Sequence, residues 1–147
     1  MKIGFTGTRG GMTRMQKAEV AELLRKYEVT EVHHGGCVGA DAEFDTICHA
    51  ECIGVHPRNQ FVIVVHPSDL KGMHGLVMQP CTLLDEYPPL VRNRHIVDAV
   101  ELMIAAPGDM HEVLRSDTWA CVRYARMKRR DTYIVWPDGN VKGELYD

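Results

Sequence analysis

The sequence lacks a long hydrophobic run, and this absence excludes a membrane-spanning helix. None of its apolar runs exceeds five residues, as in Phe61–Val65, whereas a helix that crosses a bilayer needs about 20. The N-terminal segment Met1–Gly7 reaches glycine and polar residues too early for a secretory signal peptide. We therefore expect a cytoplasmic protein with no membrane partner.

The sequence also lacks an excess of basic residues. It has 17 Lys and Arg residues against 20 Asp and Glu residues, which gives a net charge of −3 with neutral histidines. Dedicated nucleic-acid binders usually carry a strong basic excess. This balance disfavours nucleic acid as the partner of the whole chain, although it leaves a local basic patch open.

Three familiar site signatures are absent or incomplete. Neither the dinucleotide fingerprint G-x-G-x-x-G nor the Walker lysine motif occurs, so we predict no NAD site, no P-loop and no cofactor. The five cysteines are odd in number and follow no secretory signal, which favours free thiols in a reducing compartment. His33, His34 and Cys37 have no second ligand pair at a zinc-binding spacing, so we predict no metal site.

The composition that is present is typical of one globular domain. Hydrophobic residues make up 45% and charged residues 25%, and 147 residues suit a single core, so we predict one domain over residues 1–147. Short apolar runs alternate with amphipathic segments along the chain. The predicted strands are Lys2–Thr6, Glu31–His34, Phe61–Val65, Glu101–Ala105 and Thr132–Trp136. The predicted helices begin after the capping box Thr13–Gln16, at Ala40, at Pro89 or Leu90, and at Ser116 or Thr118.

This alternation predicts an α/β fold, in which a mostly parallel sheet carries helices on both faces. Ligands of such sheets bind beyond the carboxyl ends of the strands, where the strand order reverses. The turns after the first, second and fourth predicted strands should therefore meet at one edge. Residues 66–89 contain four prolines and show no clear period, which predicts a long functional loop.

Two glycine-rich turns connect predicted strands to predicted helices at this edge. Glycine lets a ligand or another backbone approach closely, and the N-terminus of the following helix favours an anion. The alternative is that both are ordinary tight turns, with Arg9 in solvent. The candidate ligand-binding residues of the two turns are Gly7, Thr8, Arg9, Gly10, Gly35, Gly36, Cys37, Gly39, Ala40 and Asp41.

Further candidates lie before and after the fourth predicted strand. Two arginines that flank an asparagine can hold a phosphate through bidentate hydrogen bonds, and hydroxyls at a helix start can bind a second anion. These ligand-binding candidates are Arg92, Asn93, Arg94, Pro107, Ser116, Asp117 and Thr118. Glu112 and Asp41 are the candidate catalytic carboxylates, because general acid–base chemistry needs a positioned titratable group.

The order of these segments resembles the SLOG superfamily, which joins the DNA-processing protein A (Smf) family with the LONELY GUY cytokinin-activating nucleotide hydrolases. The resemblance covers residues 3 to about 137. The matching segments are Gly7-Thr8-Arg9, Gly35-Gly36-Cys37-Val38-Gly39-Ala40-Asp41, Arg92-Asn93-Arg94-His95-Ile96-Val97 and Ser116-Asp117-Thr118.

The resemblance implies a Rossmann-like three-layer sandwich with a five-stranded sheet in the order 3-2-1-4-5. It also implies a pocket for a nucleotide or nucleotide-derived ligand, and a homodimer. Two departures from the family pattern stand out. Asp117 occupies a position where the pattern carries glycine, and the P-G-G-x-G-T-x-x-E signature of the LONELY GUY enzymes is matched only by Pro107-Gly108 and Glu112.

Three functions follow as hypotheses. The first is a protein that binds a nucleotide or a nucleotide-like small molecule at the strand ends. The second is an enzyme that cleaves the N-glycosidic bond of a nucleoside monophosphate with one of the candidate carboxylates. The third is a single-strand DNA binder, against which the acidic balance and the lack of an aromatic stacking platform count.

Overall fold

The computed structural model of the protein describes residues 1–53 and 60–146. Within these residues the strands are β1 (Lys2–Gly7), β2 (Glu31–His34), β3 (Val62–Val65), β4 (Thr82–Leu83), β5 (Leu102–Ala106), β6 (Asp131–Val135) and β7 (Val141–Glu144). The helices of the same residues are α1 (Arg14–Lys26), α2 (Ala40–Ile53), α3 (Pro89–Ala99) and α4 (Asp117–Met127). None of these helices is long and apolar enough to cross a membrane.

All the strands form one sheet in the order β4-β3-β2-β1-β5-β6-β7. Neighbouring strands are parallel except for β6 and β7, which form an antiparallel pair. The predicted α/β class is confirmed, and the five central strands follow the predicted order. Their observed boundaries agree with the predicted ones to within one residue.

Two edge strands were not predicted. β4 lies inside the segment 66–89 that the sequence predicts as a long loop, and both of its residues are exposed. β7 follows the turn at Pro137–Gly139 and contains a single large apolar residue, Val141. Strands this short and this exposed carry no hydrophobic alternation, so periodicity cannot reveal them. The bidentate contacts of Arg126 with Glu144, at 2.7 and 2.9 Å, hold β7 against α4.

The sheet is covered by a pair of helices on each face, as side-chain alternation along β5 shows. Leu102 and Ile104 pack into the cluster that contains α1 and α2, whereas Met103 packs with α3 and α4. Phe5 of β1 stacks on Phe44 of α2 with ring centroids 4.2 Å apart. Burial on both faces explains why the central strands are nearly continuous apolar runs.

α1 begins where the sequence predicts, because the capping box is complete. The Thr13 hydroxyl accepts the N–H of Gln16, and the Gln16 side chain accepts the N–H of Thr13. The Gln16 amide then donates to the carbonyls of Pro107 and Val135, at 2.8 and 2.9 Å. One buried side chain thus ties the start of α1 to the carboxyl ends of β5 and β6.

The strand order reverses between β1 and β5, which are adjacent although three strands separate them in sequence. The chain leaves β1 towards one half of the sheet and reaches β5 only after building that half. The connections that follow these two strands therefore diverge and leave a crevice at their carboxyl ends.

Candidate functional site

A cleft of about 400 Å³ lies at this reversal point. Its size suits a small organic ligand, since such pockets usually measure about 300–1,000 Å³. Of the residues proposed from the sequence, the structure brings these to its wall: Gly7, Thr8, Arg9, Gly35, Cys37, Asp41, Arg92, Asn93, Ser116, Asp117 and Thr118.

The two glycine-rich turns pack directly against each other beside the cleft. The N–H of Ala40 donates to the carbonyl of Thr8 at 3.0 Å. Gly39 has a φ of +84°, and a Cβ at this position would collide with the backbone carbonyl of Arg9. Some predicted ligand residues therefore support the turns and do not line the cleft, namely Gly10, Gly36, Gly39 and Ala40.

Arg9 and Asp117 form an ion pair between the β1–α1 turn and the start of α4. Their side-chain atoms Nη2 and Oδ2 are 2.9 Å apart, and the two side chains are 54% and 47% exposed. A pair this exposed contributes at most about 1 kcal/mol, so an anionic ligand can compete with it. Arg9 is thus available at the cleft, but a carboxylate already occupies the side of α4 on which a phosphate would sit.

Arg92 has a different role from the predicted phosphate clamp. It is only 4% exposed, and its Nη1 donates to the carbonyls of Gly35 and His66 at 2.9 and 3.1 Å. A Cβ on Gly35 would collide with this guanidinium, which explains glycine at that position. Because these carbonyls end β2 and β3, Arg92 holds the two strand ends together.

Arg94 does not reach the cleft. Its guanidinium carbon lies 5.2 Å from the centre of the Tyr124 ring, on the outer side of α3 and α4. Residues two positions apart on a helix do not share a face, so the two arginines of the predicted clamp cannot act together. Of the predicted pair, Arg92 thus lines the cleft and Arg94 lies on the outer side of α3.

Asn93, which lines the cleft and also a pocket on the outer side of α3 and α4, contains a buried amide donor. The residue is 7% exposed, and its Oδ1 accepts the Nε–H of Arg92 at 2.8 Å. This bond fixes the amide orientation, because a flipped amide would set two donors against each other. The Nδ2 group is consequently left buried without a hydrogen-bond partner among the described residues. Such a group costs about 1–3 kcal/mol unless an acceptor reaches it.

Asp41 is the carboxyl group buried in the cleft wall. Its Oδ2 accepts the N–H of Cys37 at 3.2 Å. Burial raises the pKa of Asp41, and electrostatic interactions with His34 and Arg92 oppose this rise. Burial likewise raises the pKa of the Cys37 thiol. The cleft therefore contains a carboxyl group that holds its proton more firmly than an exposed aspartic acid does.

Glu112 lies outside the cleft, contrary to its predicted catalytic position. Its carboxylate contacts Arg126 at 2.8 Å and Arg123 at 3.1 Å. The hydrogen bond from Arg126 lowers the pKa of Glu112, and the bond from Arg123 lowers it further. A paired and more acidic carboxylate is a poor general acid. Pro107 is also engaged elsewhere, since its carbonyl accepts from Gln16.

The start of α4 completes the cleft. The Ser116 hydroxyl accepts the N–H of Trp119 at 3.3 Å and caps the helix, and Thr118 is buried beside it. Sequence reasoning missed Arg115 and Asp109, which line the cleft and precede this cap. It also missed Met73, which reaches the cleft from the segment 66–89. Their only sequence signal is their place in connections that leave the ends of strands.

The described residues contain no group of three or more His, Cys, Asp or Glu side chains that could hold a metal ion. His33 and His34 lie on opposite faces of the sheet, because successive residues of a strand alternate in direction. All five cysteines are free thiols.

Comparison with family models and with curated protein sequences gives no match. Among solved structures, the chain is similar to a crystal structure described as that of TM1055, a structural genomics target. The TM-score is 0.59 at 11% sequence identity, and the match covers 89% of this chain and 71% of the other. At this identity the likeness shows the fold alone, which is a Rossmann-like α/β fold.

Proposed function

We propose that the cleft binds a nucleotide or a nucleotide-derived small molecule, with its phosphate near Arg9 and the N-terminus of α4. The observation that carries this proposal is that Asn93, a residue of the cleft wall, has a buried Nδ2 group without a hydrogen-bond partner among the described residues. A hydrogen-bond acceptor of a ligand, such as a phosphate, hydroxyl or base oxygen, would satisfy this group. The position of the cleft at the strand-order reversal and its size support the same ligand class.

The motif order supports a finer proposal, that the chain is a small member of the SLOG superfamily. Segments that are far apart in sequence, from Gly7-Thr8-Arg9 to Ser116-Asp117-Thr118, contribute to one cleft. A homodimer and a cytoplasmic location belong to this proposal and stay predictions.

The charges at the mouth of the cleft allow a test with opposite outcomes. Arg9→Ala removes a charge-assisted contact worth about 1.5–3 kcal/mol, so affinity should fall about 10- to 150-fold. Asp117→Asn removes a like charge and frees Arg9, so affinity should rise about fivefold, since two unit charges at 4 Å interact by about 1 kcal/mol in water. The measurement is a calorimetric titration with a panel of ribo- and deoxyribonucleoside 5′-monophosphates.

Two controls match these changes in charge. Arg14→Ala removes an exposed arginine of α1, and Asp69→Asn removes an exposed carboxylate of the segment 66–89; neither residue lines the cleft. Both variants should bind like the wild type. Mass spectrometry of small molecules released from the denatured protein identifies the ligand without a prior guess. Equal affinity of the wild type and the Arg9 variant for every nucleotide in the panel would refute the proposed phosphate position.

A second candidate function, N-glycosidic cleavage of a nucleoside monophosphate, is favoured by Asp41. A cleft carboxyl group with a raised pKa suits a general acid that protonates a leaving base. The assay is chromatographic detection of free base released from the nucleotide panel. If the wild type is active, Asp41→Asn should lower the rate about 10²- to 10⁴-fold, whereas Glu112→Gln should match the wild type. Absence of base release from every nucleotide would leave binding as the function.

A further inference from the structure

A second cavity of about 290 Å³ lies between the end of β3 and α3. Arg92 lines both this cavity and the cleft, so its side chain forms part of the wall between them. The second cavity is lined by His66, Leu84, Asp85, Tyr87, Arg92 and His95. The proposed nucleotide site uses none of these residues except Arg92.

A chain of hydrogen bonds leads to this cavity through the sheet face that carries α3. The Glu31 carboxylate lies 2.6 Å from Nε2 of His33. The other ring nitrogen of His33, Nδ1, lies 2.7 Å from Nε2 of His66. Both imidazoles are buried, and His66 is only 6% exposed.

The Glu31 carboxylate determines which atom donates and which accepts in each of these hydrogen bonds. Glu31 can only accept when ionised, so Nε2 of His33 donates to it and Nδ1 of a neutral His33 accepts. Nε2 of His66 must then donate to His33. The remaining nitrogen, Nδ1 of His66, is left as an unprotonated acceptor on a residue that lines the cavity.

The surroundings keep His66 neutral. Burial lowers its pKa to about 3, and electrostatic interactions with His33, His95 and Arg92 act in the same direction. Arg92 does not make the cavity an anion site, because its Nη1 and Nε groups donate to protein carbonyls and to Asn93. Asp85 at the rim adds a negative charge.

The remaining walls of the second cavity contain apolar side chains, and a hydrogen bond holds the backbone there in place. Leu84 and Tyr87 expose apolar surface at the cavity. The Tyr87 ring meets His95 edge to face, with centroids 4.7 Å apart. The carbonyl of Tyr87 accepts the N–H of Asp69 at 3.0 Å, which fixes the backbone at this wall. A flat, uncharged molecule fits such walls better than a hydrated ion does.

We propose that this second cavity binds a small, neutral, planar molecule that donates a hydroxyl or N–H hydrogen bond to Nδ1 of His66. Glu31 and His33 are positioning residues that hold His66 in the accepting tautomer. The site is separate from the cleft, so it stands or falls independently of nucleotide binding there.

The test compares ligand pairs that differ only in the donor. Phenol and uracil donate, whereas anisole and 1,3-dimethyluracil have the same rings without the donor. With ¹⁵N-labelled histidine, NMR should show His66 with an unprotonated Nδ1 and a protonated Nε2. Phenol or uracil should shift the Nδ1 signal and bind about 2- to 12-fold more tightly than its methylated partner, as one neutral hydrogen bond implies.

Variants and controls make the result decisive. His66→Phe should reduce binding of the donor to the level of its methylated partner, and His111→Phe, which changes an exposed histidine, should bind like the wild type. The ligand pairs need no variant, so a misfolded His66→Phe protein would not block the test. A protonated Nδ1 on His66, equal affinity within both pairs, or no binding of either donor overturns the proposal.

Discussion

His33 and His34 are neighbours on β2, yet they belong to opposite faces of the sheet and to different environments. His34 faces α2, where its Nε2 contacts Asp45 at 2.8 Å and its Nδ1 accepts the N–H of Gly36. Both side chains of the His34–Asp45 pair are fully buried. His33 faces α3 and connects Glu31, which is partly exposed, to His66 at the second cavity.

The comparison shows how the same residue type serves two purposes. Around His34 both ring nitrogens are used by the protein, so the imidazole joins the β2 turn to α2. Around His33 the hydrogen bonds run in one direction and leave an acceptor at a cavity. We interpret the first cluster as structural and the second as a candidate functional one.

The largest expected effect comes from removing the Asp45 carboxylate from the buried cluster around His34. Asp45→Ala leaves the buried His34 without its partner and removes the acceptor of the Met78 N–H, which lies at 2.8 Å. Each buried donor left without its acceptor costs about 1–3 kcal/mol of unfolding free energy, so the loss of both costs about 2–6 kcal/mol. The measurement is urea denaturation, and Asp45→Asn, which keeps an acceptor oxygen, is the milder control. A loss below about 1 kcal/mol would contradict the structural role.

An intermediate effect is the change of the unfolding free energy with pH. His66 and Asp45 contribute to this change in different pH ranges. The folded pKa of His66, about 3, is below the ordinary value, so the unfolded chain binds the proton first as the pH falls. Stability should therefore decrease from about pH 6.5 downwards, by at most about 1.4 kcal/mol per pH unit for this group.

Asp45 acts in a lower pH window. Burial raises its pKa, but the hydrogen bond from His34 and the N–H of Met78 outweigh this and lower it overall. Its stabilising contribution is complete above the ordinary Asp value near 4 and is lost as the pH falls through the lower folded value. The unfolding free energy measured by urea denaturation between pH 7 and 5 thus reports on the cluster around His66. In this range His66→Phe should reduce the dependence of the unfolding free energy on pH, whereas His111→Phe should leave it unchanged.

The smallest expected effect comes from Glu31→Gln at the partly exposed end of the hydrogen-bond chain. Burial lowers the pKa of His33, and Glu31 opposes this. Loss of the carboxylate should lower the His33 pKa further, which an NMR titration measures. The unfolding free energy should change by less than about 1 kcal/mol, because the carboxylate is partly hydrated. An unchanged His33 pKa would show that the Glu31 carboxylate does not influence the protonation of His33.

Much of the cleft was predictable because its residues lie at strand ends. Gly7, Arg9, Gly35 and Asp117 are far apart in sequence, but the topology of a parallel sheet requires these turns to share one edge. The capping box at Thr13 was also predictable, because its hydrogen bonds link residues only three positions apart.

Sequence spacing did not specify the side-chain partners of two candidate site residues, Arg92 and Glu112. Arg92 donates to carbonyls at the ends of β2 and β3, which are 26 and 57 residues away. Glu112 contacts two arginines of α4, so it is turned away from the cleft. In both cases the side chain has several chemically reasonable partners, and only the packed fold selects among them.

From the amino-acid sequence, the α/β class and the edge where the glycine-rich turns meet follow from local hydrophobic period, capping and the topology of parallel sheets. The order of the five central strands came from the family resemblance and not from these patterns. Tertiary structure alone decided which donor stays unpaired at Asn93 and which nitrogen of His66 is the acceptor. These depend on hydrogen bonds between distant segments, because a polar group's chemistry is set by whichever partners burial leaves within its reach.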